Sequence, residues 1–159
     1  MSTIPQKIDE AYLNAVLAAL DEVDGQAVRL IYATKQFTPE AADLVNAIYS
    51  DEETNRRANG WFSALAEDHE LRSIKPNPGN RKTTVSRLIT TMPACVWMAV
   101  ERDHALDSVD PGPPRIEYVA LRPLDRSNDP KGRNPTAWMI TSDGFNPDGS
   151  EPGNQCEGS

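Results

Sequence analysis

Proton-transfer chemistry in a dry pocket needs at least one positioned acid or base, and few side chains of this chain qualify. Tyr12, Tyr32, Tyr118, Glu117, Asp103, His69 and His104 are the available groups. None stands at a spacing that announces a dyad. His69, between Asp68 and Glu70 at a predicted helix end, suits an exposed cation near the C-terminal dipole. His104 follows Glu101, Arg102 and Asp103 at a strand end and reads as part of a surface turn. Glu117 alternates away from Ile116 and Tyr118, which points it toward solvent. Ser63, Ser73 and Ser86 lack the Gly-x-Ser-x-Gly setting of a nucleophile elbow. Gly79 and Gly132 are isolated, so no phosphate-cradling loop is built. Asp143-Gly144 and Asp148-Gly149 are turn pairs, short of the alternating acidic ligands that calcium requires. These residue types assign no catalytic residue, no metal and no cofactor.

Four aromatic side chains are the candidates for a ligand pocket instead. Tyr12 falls on the apolar stripe of the first predicted helix, and Trp97, Tyr118 and Trp138 fall in predicted strands. Such rings can line an apolar cavity or a partner groove, although packing in a core is their commoner use.

The two cysteines, Cys95 and Cys156, lie 61 positions apart with no ligand spacing to either histidine. Cys156 sits in a tail with almost nothing apolar to bury, where a lone thiol would be exposed without a packing reason. A Cys95–Cys156 disulfide explains both residues and pins the tail to the body; two unrelated free thiols are the alternative. Closing a loop of that size stabilises by about 4 kcal/mol in the chain-entropy picture. Disulfides persist outside the reducing cytosol. Residues 1–6 show no basic region followed by an apolar stretch. Either the protein is cytoplasmic, or Met1 marks where an export signal was trimmed, and a disulfide favours the extracytoplasmic case.

The elements that must position these residues follow from the pattern of the 159-residue chain. Thr3 and Pro5 open a helix in which Ile8, Tyr12, Ala15, Val16, Ala19, Leu20 and Val23 recur at spacings of three and four. Asp24-Gly25 interrupts it, and a shorter helical piece carries Val28, Ile31 and Tyr32. Thr38, Pro39 and Glu40 form a strong second start, with Ala41, Leu44, Val45 and Ile48 as the buried stripe. Ser50 and Glu53 can form a capping box that opens a third helix carrying Thr54, Ala58, Trp61, Phe62 and Leu65. Residues 75–80 are a turn by composition. Beyond it the period changes to two, giving strands over 83–91, 95–102, 115–121 and 137–141, with 71–74 as a short opening strand. The segment 95–102 is apolar on both parities, which calls for cover on both faces or a partner on one. The pattern predicts one α+β domain over 1–145, with N-terminal helices packed on a curved antiparallel sheet, and an extended tail over 146–159.

That order resembles the nuclear transport factor 2-like superfamily, a cone in which a long N-terminal helix packs into a bent antiparallel sheet. The helix over 6–23, the segment 38–49, the helix over 50–67 and the four strands carry the resemblance across about residues 5–143. More narrowly, Pro93-Ala94-Cys95-Val96-Trp97 and Asn134-Pro135-Thr136-Ala137-Trp138 look like segments of exported actinobacterial members, often lipoproteins. The resemblance implies a cone-shaped fold that hosts isomerases, dehydratases and cyclases as well as members that only bind or scaffold.

Charge narrows the partners. Net charge is −8, with the acidic residues dispersed apart from Asp51, Glu52 and Glu53. Such a surface repels phosphate backbones and anionic lipid, so nucleic acid is not an expected partner. No apolar run approaches the roughly 18 residues that span a bilayer, so a membrane is reached only through an anchor this chain lacks. The leading expectation is a non-enzymatic binding or protein-interaction domain of unknown specificity outside the cytoplasm. One alternative is an isomerase- or dehydratase-like enzyme holding a small apolar ligand in the cone pocket. The other is a cytoplasmic structural or assembly subunit that buries its second sheet face on an unknown protein or in a homodimer.

Overall fold

The computed structural model describes residues 3–50, 52–68 and 71–157, without the side chains of Glu52 and Glu53. Three helices, α1 (Glu10–Thr34), α2 (Pro39–Ile48) and α3 (Glu52–Glu67), precede four strands, β1 (Lys82–Met92), β2 (Cys95–Asp103), β3 (Arg115–Pro123) and β4 (Trp138–Gly144). The strands pair in chain order as an antiparallel meander that does not close. The α+β class and helices-first order expected from the pattern are therefore present. The capping box expected over 50–53 depends on side chains outside the described residues, and His69 lies outside them as well.

The first helix departs from its expected bounds at both ends. It starts at Glu10 because Asp9 is the cap, its carboxylate accepting the Tyr12 amide at 2.9 Å. It then runs through Asp24-Gly25 to Thr34 without a break. Gly25 is there for space. A Cβ on it would lie 2.0 Å from Asn80 Oδ1, so glycine lets the 75–80 turn press against the helix. Arg29 fixes that contact by donating to Asn80 Oδ1 at 2.7 Å. The helix ends at Lys35, which adopts the left-handed conformation and donates its amide to Ile31 O at 2.7 Å.

α2 begins as its residues predict, with Thr38 Oγ1 accepting the Ala41 amide and Pro39 in the first turn. The α2–α3 link then meets the sheet edge. Tyr49 bridges Ile140 in parallel, and the Ser50 amide donates to Ile140 O at 2.9 Å. Residues 71–74 form turns instead of an opening strand. Leu71 takes a left-handed φ of 46°, and Ile74 makes one isolated bridge to Ser108.

The sheet has two buried faces. Val96, Met98, Val100, Val119, Leu121, Trp138 and Ile140 face the helices and join Leu13, Val16, Leu17, Leu20, Ile31 and Phe62 in the main core. On the opposite face, Cys95, Trp97, Ala120 and Cys156 form a second small cluster, with Ile89 and Tyr118 against it. The Cys95–Cys156 disulfide is formed, with an S–S distance of 2.03 Å. The double apolar pattern of β2 thus has its reason within one chain, because the tail covers the outer face. Asn154 donates to Thr90 Oγ1 at 3.0 Å, and Arg87 pairs with Glu151, tying the tail to β1. No helix among the described residues is long and apolar enough to cross a membrane.

Candidate functional site

The four aromatic candidates separate into two pairs on opposite faces of the sheet. Tyr12 and Trp138 meet in the main core, where the Trp138 indole donates to the Tyr12 hydroxyl at 2.7 Å. Trp97 and Tyr118 stack on the outer face with ring centroids 5.8 Å apart. The four therefore cannot line one cavity. Pairing decides this: Tyr118 opposes Ala99, and Ala120 opposes Trp97, which puts both strands' outer parities under the tail. The space between α1 and the sheet, where an apolar cone pocket was expected, is filled by buried side chains such as Leu13, Leu17, Met98 and Trp138.

The Asn134–Trp138 segment is a structural hub. Asn134 donates to the carbonyls of Ala47 and Trp138, both at 2.8 Å, and accepts from the Thr136 amide and hydroxyl. It joins the start of β4 to α2 and positions Trp138 against Tyr12.

The polar chemistry lies elsewhere, at a buried charge network between α1 and the sheet. Register also sends Glu117 there. Glu117, Val119 and Leu121 oppose Val100, Met98 and Val96, all on the helix-facing side, so Glu117 points inward. The alternation of β3 had suggested solvent, but the apolar Ile116 is the residue left outside, 47% exposed. A one-residue choice of parity reverses every side chain of a strand, and here the partner strand makes the choice.

Six ionisable side chains and two hydroxyls compose the network. Arg81 donates from Nε to Asp21 Oδ1 at 2.9 Å and from Nη2 to the Tyr49 hydroxyl at 3.2 Å, and its Nη1 lies 3.5 Å from Asp24 Oδ2. The Tyr49 hydroxyl donates to Asp24 Oδ2 at 3.4 Å. Asp21 also accepts from the Thr83 amide at 2.7 Å and hydroxyl at 2.8 Å. Arg102 donates to Thr83 Oγ1 at 3.1 Å and to Asp143 Oδ1 at 2.7 Å, with Glu117 Oε1 3.8 Å away. The members come from separated stretches of the chain, with only Asp21 and Asp24, and Arg81 and Thr83, near one another in sequence, so this arrangement exists only in the assembled fold.

Burial and pairing set the charge states. Burial raises Asp24 above its ordinary value, Arg81 opposes the rise, and neighbouring Asp21 adds to it. Burial also raises the Tyr49 hydroxyl, which stays protonated and remains a donor. For Arg81, burial works against the charge, but Asp24, Tyr49, Asp21 and Asp143 outweigh it and hold the guanidinium charged. For Arg102, burial and Arg81 oppose the charge, while Asp143, Tyr49 and Glu117 overcome them.

Four members of the network line a cleft of about 480 Å³. Asp24, Arg81, Arg102 and Glu117 line its depth, and Asp110, Arg115 and the Trp61 indole line its rim. His104 opens the turn after β2, as its setting suggested, its carbonyl accepting the Ser108 amide at 2.9 Å, and it also lines the cleft, 3.1 Å from Asp107 Oδ1. Glu117 is held among these groups with its side chain 9% exposed, yet its Oε2 has no hydrogen-bond partner among the described residues. A second groove of about 460 Å³, between α2 and the 127–131 segment, has no buried unpartnered side-chain atom among its described residues. A carboxylate in the wall of a cleft with one oxygen unused can accept a hydrogen bond from a bound molecule or take a proton from it. Among the described residues, no group of three or more His, Cys, Asp or Glu side chains is placed to hold a metal ion.

No family model matches the chain, and no curated protein or solved structure matches it significantly.

Proposed function

We propose that this chain is a non-catalytic binding domain that works outside the cytoplasm and takes a small ligand in the cleft over Arg81 and Arg102. One observation carries the reading: the buried Glu117 carboxylate in the cleft wall has an oxygen that no donor among the described residues reaches. Leaving a hydrogen bond unmade at a buried charged group is costly, and such groups in native proteins call for a reason. A ligand that completes the bond supplies one. The nuclear transport factor 2-like reading rests on the helices-first order and the antiparallel meander. The Cys95–Cys156 bridge supports an oxidising compartment, and with it the likeness to exported proteins.

Asp24 favours one rival reading. Its carboxyl lines the cleft and is raised by burial, as the acid of an isomerase- or dehydratase-like enzyme would be. Amide spectra recorded with a library of small polar molecules separate the two. Binding should shift Arg102, Arg115 and Glu117 first, with the bound molecules recovered unchanged. Shifts that cluster elsewhere, or none at all, overturn the cleft as the site. Conversion of a bound molecule, abolished in Asp24→Asn, replaces binding by catalysis. Thiol titration of protein isolated under oxidising conditions tests the location; two reactive thiols remove its support.

A further inference from the structure

We infer that the ligand of this cleft is a small organic cation with N–H donors, a primary ammonium or a guanidinium; the inference rests on the cleft being a binding site. Three features of the wall point the same way.

The charges do not balance. Asp24 and Glu117 in the wall, with Asp21 and Asp143 of the same network outside the lining, are four carboxylates against the two guanidiniums of Arg81 and Arg102. Protonation of Asp24, which burial favours, still leaves three against two. The guanidiniums are also fully engaged. Arg81 faces Asp21 and Asp24, and Arg102 faces Asp143 and Glu117. Beyond them, buried Asp107, paired with His104, and rim Asp110 add two carboxylates, against Arg115, whose guanidinium lies over the Phe145 ring at 5.0 Å. An anion entering this cleft would add to a negative surplus in a poorly solvated place; a cation would reduce it.

The missing partner is a donor. An ionised carboxylate only accepts, so the unused Glu117 Oε2 calls for an N–H or O–H. A hydroxyl would satisfy the atom and leave the charge surplus in place, whereas an ammonium or guanidinium answers both. The third feature is Trp61. It is 54% exposed in the same cleft. Phe62 beside it takes the core position, which leaves the larger indole at the rim. An indole face is the best aromatic partner for a cation.

The Trp61 indole N–H resonance gives a direct reading, since the other two tryptophans are buried. Titration with butylammonium should shift it together with the Glu117 and Arg102 amides, at least about tenfold more tightly than butanol or butyrate. N,N,N-trimethylbutylammonium, which keeps the charge and loses the donors, should bind more weakly than butylammonium. Glu117→Gln should weaken butylammonium roughly tenfold. Asp110→Asn, an exposed rim change, should weaken it by a smaller factor, and it carries the test if Glu117→Gln fails to fold. Butanol or butyrate binding as tightly as butylammonium overturns the cation and leaves the cleft as a site. Equal binding of the trimethyl derivative overturns the hydrogen bond to Glu117. If no probe shifts any cleft resonance, the inference and the binding reading fall together.

Discussion

Two regions of one core handle buried polar groups in opposite ways. Around Tyr12 and Trp138, the groups are neutral and mostly close in sequence. Thr136 bonds to Asn134 and to the Trp138 carbonyl within two residues, and the indole finds the Tyr12 hydroxyl. Among the described residues no buried side-chain atom there lacks a partner. Around Arg81 and Arg102, the groups are charged and come from distant parts of the chain. Arg81 reaches Asp21 across 60 positions, and Arg102 reaches Asp143 across 41. That region leaves an oxygen unused and opens to a cleft. Neutral local bonds can be closed completely, because a short segment settles its own geometry. A charged network assembled from several elements must balance whole units of charge, and here it does not. The remainder is where a ligand has something to add.

The comparison breaks most visibly at Arg81. Arg81→Ala leaves Asp21 and Asp24 buried without their cation, and we expect a loss of about 3–5 kcal/mol in urea denaturation. A loss under about 1 kcal/mol would mean the network is solvated and the contrast is false. At the neutral region the effect should be smaller. Tyr12→Phe takes the acceptor from the Trp138 indole, at a cost of about 1–2 kcal/mol by the same measurement. An equal or larger loss would reverse the ranking of the two regions.

The finest effect is a pH dependence. Asp24 binds its proton more tightly in the folded chain than at its ordinary value of 3.8. Its contribution to stability is therefore fully present below 3.8 and is lost as pH rises through the elevated folded value. The stability of the wild type minus that of Asp24→Asn should fall with rising pH across that window. Thermal unfolding of both proteins over a pH series measures the difference, and a flat one would show that burial does not hold the proton on Asp24.

Much of the fold was legible because its signals are local. Thr38-Pro39-Glu40 announced α2, the change of period after residue 80 announced the sheet, and a cysteine in a polar tail announced its bridge. What could not be read depends on distant neighbours. Gly25 reads as a helix break until Asn80 is seen to occupy the place of its side chain. Glu117 reads as exposed until β2 sets the parity of β3. The candidate site was hidden for the same reason. Asp21, Tyr49, Arg81, Arg102 and Asp143 sit in five separate segments, and no spacing within any of them suggests a cluster. One clue was present: Asp21 and Asp24, at helical spacing beside Leu17, Leu20 and Val28, place carboxylates on the buried stripe of α1. The aromatic candidates could be placed on a helix or a strand, which does not say which face of a sheet a ring occupies.

The sulfur bridge has a topological consequence. Cys95 opens β2 and Cys156 lies past β4, so β2, β3, β4 and the stretches joining them form a covalent ring closed across 61 positions. The three helices and β1 hang outside that ring on a single strand of backbone. A protease that cuts once in the exposed stretch around Leu106 and Val109 leaves a nicked but undivided molecule, which runs as one band until reductant is added. The same single cut in the 75–80 turn splits the chain in two. The half that carries Glu117 and Arg102 is thus guarded against scission, while the half that carries Asp21 and Arg81 depends on packing alone.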